Sequence, residues 1–139
     1  MKQVMKPVTQ EQSMGCAVAC VASLLRISYS KVLEFFKKSK AASSVGYYCR
    51  DICQALQKAG KKYQYQHVSP KNKRFLSKTG VIVFIKKSKQ YPLGHYLLRT
   101  AKGWMNPWIN YPHIKPAKAG IQKRLPGKAQ WVIFPKETL

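Results

Sequence analysis

The sequence predicts an α+β domain, with three N-terminal helices packed on an antiparallel sheet of four or five later strands. Three observations carry that expectation. Helical apolar spacing fills roughly the first sixty positions, and strand signals dominate after them. The length, 139 residues, suits one domain spanning 1–139. The 45% apolar and 12% aromatic content is enough to bury a core, which excludes general disorder.

Residues 1–12 read as extended and end in a polar turn. Ser13 is placed to cap a first helix over about 15–26, with Ala17, Val18, Val21, Leu24 and Leu25 as its apolar face. Within it lies the longest apolar run, 16–25, ten residues with Ser23 as its one polar member, half of a membrane span. Polar residues 9–13 precede that run, Arg26 follows it, and no small-residue cleavage site comes after. It therefore reads as a helix of the mature domain and not as a signal peptide.

Ser28 or Ser30 can cap a second helix over about 31–38, burying Val32, Leu33, Phe35 and Phe36. A loop of small residues, 41–46, leads to a third helix near 48–59, which Gly60 stops. Beyond it, 63–68 alternates weakly and 81–85 is a short buried run. Segments 96–100 and 104–106 read as a hairpin across Ala101-Lys102-Gly103, and 131–134 is a final strand. The basic loop 70–78 and the Pro-, Gly- and Lys-rich segment 112–128 read as surface connections. There is no internal repeat.

Twenty-six Lys and Arg oppose four acids, a net charge of +22. Self-repulsion on that scale destabilises a compact chain, so the excess points to a partner: nucleic acid, an anionic membrane surface or an acidic protein. Lys61, Lys62, Lys71, Lys73, Arg74, Lys86 and Lys87 are the candidate contacts, and two of these basic stretches flank strands leading toward His95, so they are expected on one face beside the cleft. Around Lys61 and Lys62, aromatic residues interleave with the basic ones, as in strand-gripping surfaces. With one Asp in the chain, a carboxylate-bridged metal site is not expected. The cysteines form two i,i+4 pairs, Cys16/Cys20 and Cys49/Cys53. That spacing is poor for a disulfide and longer than zinc sites favour, so reduced, mostly buried thiols are expected, with no metal and no cofactor.

Cys16 stands apart because it opens the first helix, where free backbone N–H groups and the helix dipole should lower its pKa. Gly15 before it leaves room for a substrate backbone. Gln10, six residues upstream, can fold back so that its amide and the Cys16 N–H make an oxyanion hole. A nucleophilic Cys needs a base, and His95 sits at a strand opening. With a two-residue turn at Ala101-Lys102, residue 97 pairs with 106, making Asn106 a diagonal neighbour of His95 on one sheet face; a three-residue loop with a bulge at Gly103 would shift that register. Asn106 can then hold the ring in one tautomer. His67 and His113 read as exposed side chains; Cys20, Cys49 and Cys53 read as packing. Trp104, Trp108 and Trp131 read as sheet-face packing, with Trp108 able to wall a cleft.

These residues resemble the double-glycine leader peptidases, papain-like cysteine peptidases that process bacteriocin precursors. That family carries a Gln six residues before a Cys at a helix start, then a His-aromatic-aliphatic-aliphatic strand roughly eighty residues on, then Asp-Pro. Here Gln10, Cys16, His95 and Asn106-Pro107 occupy those places, across residues 8–108. Gly15-Cys16-Ala17 stands where the family has Asp-Cys-Gly, and Asn106 replaces the Asp several residues early. The resemblance implies a papain-like fold and a cysteine hydrolase that cleaves a peptide bond: Cys16 as nucleophile, His95 as base, Asn106 as its orienter, Gln10 in the oxyanion hole.

Two other readings stand beside it. One is a papain-like toxin or effector that cleaves RNA, a tRNA nuclease neutralised by an acidic immunity protein. The other is a pseudoenzyme that binds an acidic partner; retention of all four positions argues against it. The expected partner is thus a peptide or RNA substrate, with an acidic inhibitor possible, and the chain is expected to be monomeric. With no membrane span or signal peptide read, the expected location is the cytoplasm, or a target cell if the domain is delivered.

Overall fold

The structure, a computed structural model, describes residues 5–11, 15–36, 47–111 and 117–136. Ser13, the loop 41–46 and His113 lie outside them. Small and β-branched apolar residues build α1 (Cys16–Leu25), in which every residue except Leu25 is buried. The helix is therefore enclosed instead of amphipathic. Gly15 is its N-cap and makes no side-chain cap bond. Ser28 caps α2 (Tyr29–Leu33), accepting from the Lys31 N–H at 3.3 Å. That helix starts earlier and is shorter than the sequence suggests: residues 34–36 are a turn, although Phe36 is still buried. In α3 (Cys49–Lys58), Asp51 Oδ2 accepts the Tyr48 N–H at 2.8 Å, an acidic cap at the positive end of the helix. Cys49, Ile52, Ala55 and Leu56 face inward, and Gly60 ends the run at φ +86°.

Among the described residues six strands follow: β1 (Tyr63–His67), β2 (Ile82–Ile85), β3 (His95–Thr100), β4 (Gly103–Asn106), β5 (Gly120–Gln122) and β6 (Ala129–Pro135). They form one sheet in the order β1-β6-β2-β3-β4-β5, every pair antiparallel. The segment 112–128 is thus more than a connection, because it contributes the edge strand β5. The basic loop 70–78 holds a 3₁₀ turn, Lys73–Ser77.

Alternation splits the core by sheet face. Ile82, Tyr96, Leu98, Met105 and Ile133 pack beneath the helices. Val83, Leu97, Trp104, Val132 and Phe134 pack on the other face with Val81, Tyr91 and, partly buried, Phe75. α1 lies against β3, which brings the helix start to the opening of that strand. The stretch from Met5 to Gln10 is pinned beside them. Ser23 Oγ of α1 donates to Lys6 O at 2.6 Å, the Ala119 N–H donates to Thr9 Oγ1 at 3.1 Å, and the Gln10 N–H donates to Pro107 O at 3.4 Å.

Candidate active site

The β3–β4 hairpin sets the first pair of side chains. Thr100 pairs with Gly103 and Leu98 with Met105, so the turn is Ala101-Lys102 and the same register puts 97 opposite 106. His95 and Asn106 then share a face, and His95 Nε2 lies 2.7 Å from Asn106 Oδ1. The chemistry of that contact is fixed by a third group. Asn106 Oδ1 also accepts the Trp108 N–H at 2.9 Å, and a backbone N–H can only donate, so this atom is the amide oxygen. His95 Nε2 must therefore carry the proton, which leaves Nδ1 with the lone pair. The other end of the amide is equally held: Asn106 Nδ2 donates to Tyr91 Oη at 3.0 Å and to Gln122 Oε1 at 2.8 Å. All four hydrogen-bonding positions of Asn106 are used, and its side chain is fully buried.

Tyr91 clamps the imidazole from one side. Its ring stacks on His95 at 4.2 Å with 7° between the planes, while its hydroxyl donates to Trp108 O at 2.9 Å. The turn that delivers it is closed by the Gly94 N–H donating to Tyr91 O at 2.9 Å. Gly94 sits at φ +80°, and a Cβ there would run into the Phe84 ring and Ile85 O, so glycine is required at the residue before His95.

Gln10, Cys16 and His95 line one cavity of about 260 Å³, walled by Trp108, Tyr91 and Tyr111. His95 has the strand parity of Leu97, which belongs to the face away from α1. It still meets the cavity shared with Cys16 because it is the first residue of β3. Cys16 also lines a larger groove of about 630 Å³, with Leu93 and Gly94 common to both.

The thiol departs from the sequence expectation. Burial pushes Cys16 up to about 11, and the N–H groups of Tyr96, Ala17 and Cys16 itself only partly offset it. The helix start does favour the thiolate, but desolvation outweighs it. Burial likewise pulls His95 down to about 4, against the opposing effect of Asn106. At neutral pH the pair is a thiol and an uncharged imidazole. Cys20 and Cys49 are buried and Cys53 is half-buried; all four thiols are free. No helix among the described residues is long and apolar enough to cross a membrane.

The seven candidate cations do not share one face beside Cys16. Lys61 and Lys62 are exposed ahead of β1, and Lys86 is exposed after β2. Lys71, Lys73 and Arg74 are exposed on the sheet face opposite the helices, where Phe75 stacks on Phe134. Lys71 and Arg74, with Lys136, line a shallow groove there between Gln64 and Gln66. Lys87 alone of the seven lines the groove at Cys16. The separation follows from strand order, since β1 and β6 lie on the far side of β2 from the His95 strand. His67 is exposed, its ring set edge-on to Trp131. Tyr91 and Gln122 were not singled out from the sequence. Tyr91 had a local signal, a Tyr-Pro-Leu-Gly turn just before the His95 strand. Gln122 had none, because its strand was not recognised.

No protein-family model matches the sequence, and no curated protein matches it either. Among solved structures, the chain is similar to the peptidase domain of Streptococcus ComA, a bifunctional ABC transporter involved in a quorum-sensing pathway. The two are 19% identical, the match covers 95% of this chain and 99% of that one, and the TM-score is 0.59. With its few helices packed on an antiparallel sheet, the chain has the α+β papain-like fold of that peptidase domain.

Proposed function

We propose that this protein is a cysteine peptidase, with Cys16 as nucleophile, His95 as general base and acid, Asn106 as the residue that orients His95, and Gln10 in the oxyanion hole. The observation that carries the reading is the pairing of His95 Nε2 with the Asn106 amide oxygen, which leaves Nδ1 as the basic nitrogen of a ring that lines one cavity with Cys16 and Gln10. The fold shared with a peptidase domain supports it.

The neutral resting pair dictates the order of events. As Cys16 Sγ bonds to the scissile carbonyl carbon, its proton passes to His95 Nδ1, and the carbonyl π pair moves onto oxygen. The Gln10 side-chain N–H and the Cys16 N–H donate to that oxyanion. Collapse breaks the C–N bond, the amine leaves with the proton from His95, and a thioester remains. Water then attacks, giving its proton to His95, and the thiol is restored as the acid product leaves.

A second reading gives the same residues an RNA substrate, favoured by the net charge of +22 and the Lys71–Arg74 groove. That groove lies across the sheet from the helices that carry Cys16, which favours the peptide. Purified protein is incubated with a casein-type substrate and with total RNA, wild type beside Cys16→Ala. The peptide reading expects Cys16-dependent loss of casein and intact RNA. Cys16-dependent RNA cleavage would reverse the choice, and activity that survives Cys16→Ala would remove both.

A further inference from the structure

The groove on the sheet face away from the helices lies apart from Cys16, yet it is built from more than solvated lysines. Lys71 and Arg74 reach it from the loop over that face and Lys136 from just beyond β6, and its lining holds no carboxylate. Arg74 is already held in place. Its guanidinium lies 4.6 Å from the Phe75 ring centre and its Nη1 donates to Lys71 O at 2.6 Å, which uses one of five N–H donors. Amides complete the lining. Asn72 Oδ1 accepts the Ser69 N–H at 2.8 Å, so its other end is the NH2, which donates to Gln66 Oε1 at 3.1 Å and to His67 O at 2.9 Å. The Gln66 carbonyl is thereby tied to Asn72, and its NH2 is left for an incoming acceptor. Gln64 stands two positions back on the same face of β1.

We infer that this groove holds a single-stranded nucleic acid as a partner and not as a substrate, its phosphates on Lys71, Arg74 and Lys136 and its base edges toward Gln64 and Gln66. What the groove lacks favours a phosphodiester chain over an acidic protein. Protein interfaces are anchored by aromatic and apolar side chains, whereas nucleic-acid interfaces are more polar and far more positive. None of the exposed large hydrophobics, Tyr48, Tyr65 and Leu93, lies here; Phe134 is buried and Phe75 half-buried. The same lack of exposed apolar surface argues against insertion into a membrane. An unpaired strand suits the amides, because a duplex conceals the Watson–Crick edges they would meet. The groove lies across the sheet from the helix that carries Cys16, so a strand bound here is not presented to the thiol.

Because Cys16 takes no part, Cys16→Ala protein serves for the test: it is titrated into a fluorescein-labelled oligouridine of about twelve nucleotides, and anisotropy reads the binding. Each phosphate contact on a single strand adds about 0.7 to the slope of log affinity against log salt. The three cations of the groove then predict about a twentyfold loss between 50 and 200 mM salt. Lys71→Gln, Arg74→Gln and Lys136→Gln together should remove most of that dependence and cost about a hundredfold in affinity at 100 mM. The control removes the same charge at the opposite sheet edge, with Lys102→Gln, Lys118→Gln and Lys123→Gln, and should bind nearly as the parent does. All six side chains are exposed, so both variants should keep the thermal midpoint. Equal weakening by the two triple variants would mean diffuse charge and overturn the inference. So would a duplex of the same length that binds as tightly, or polyglutamate that displaces the strand at equal charge. Protein with Cys16 intact should leave the bound oligouridine uncut; Cys16-dependent cleavage would make the strand a substrate and overturn the inference as well.

Discussion

Acid should unfold this protein chiefly through His95. In the folded state the ring gains no proton until about pH 4, whereas unfolded it titrates near its ordinary 6.5. Between those values the unfolded chain binds the extra proton, so acidification favours unfolding. The stability that neutral His95 contributes is complete above pH 6.5, falls as the pH drops, and is gone once the pH is below about 4. Each unit of that gap is worth about 1.4 kcal/mol, so the loss is about 2 kcal/mol at pH 5 and about 3 kcal/mol at pH 4. With four carboxylates in the chain, the usual source of acid denaturation is scarce. Urea unfolding followed by tryptophan fluorescence at steps from pH 8 to 4 measures the loss. His95→Gln is the control: it keeps a side-chain N–H for Asn106 but cannot titrate in this range. The midpoint should fall with pH in wild type at constant urea slope and stay nearly level in the variant. Parallel loss in both proteins would show that His95 is not held neutral by burial.

Further outcomes follow from the same network. Asn106→Asp keeps an acceptor for His95 and for the Trp108 N–H but places a negative charge beside the ring; the acid limb of the pH–rate profile should move above pH 4, which pH-dependent kcat/KM measures. Tyr91→Phe keeps the stack and loses the hydroxyl between Asn106 and Trp108; it should lower stability by about 1 kcal/mol and reduce kcat more than it raises KM, and Tyr91→Ala should do worse on both counts. Gly94→Ala should destabilise by more than 1 kcal/mol in chemical denaturation, because both its backbone angle and the space toward Phe84 oppose a Cβ. Iodoacetamide should label Cys16 slowly at pH 7 and faster as the pH rises past 9, read by mass spectrometry of the tryptic peptide; fast labelling at pH 6 would mean a thiolate that burial does not allow.

What the sequence revealed and what it hid follow from the range of the forces involved. Strand alternation is local and put Asn106 near His95, but two turn lengths fit the sequence, and the pairing of β3 with β4 decides between them. The helix start at Cys16 was legible from its apolar run for the same reason. β5 was hidden because three residues among Pro, Gly and Lys carry no periodicity of their own; they become a strand by pairing with β4, a partner a dozen and more positions away. Gln122 was hidden with it. The short α2 ended early because Leu33–Phe36 could bury Phe36 from a turn as well as from a helix.

The thiol shows the same limit in energetic form. A helix N-terminus is visible in a sequence, and its pull on a thiolate is worth about 1 kcal/mol within one turn. Desolvation is a sum over everything packed around the sulfur, here α1 itself, the opening of β3 and the stretch carrying Gln10. No single position announces it. The two effects act on the same atom with opposite sign, and the one that cannot be read locally is the larger. His95 is shifted by the same enclosure, downward where the thiol goes up. An ion pair between them is therefore disfavoured at both ends, and Asn106 matters less as a stabiliser of charge than as the group that settles which nitrogen accepts the proton. In the proposed mechanism the proton moves only as the sulfur attacks, so geometry at Nδ1, held by Tyr91 and Asn106 together, is what the surrounding fold would have to preserve.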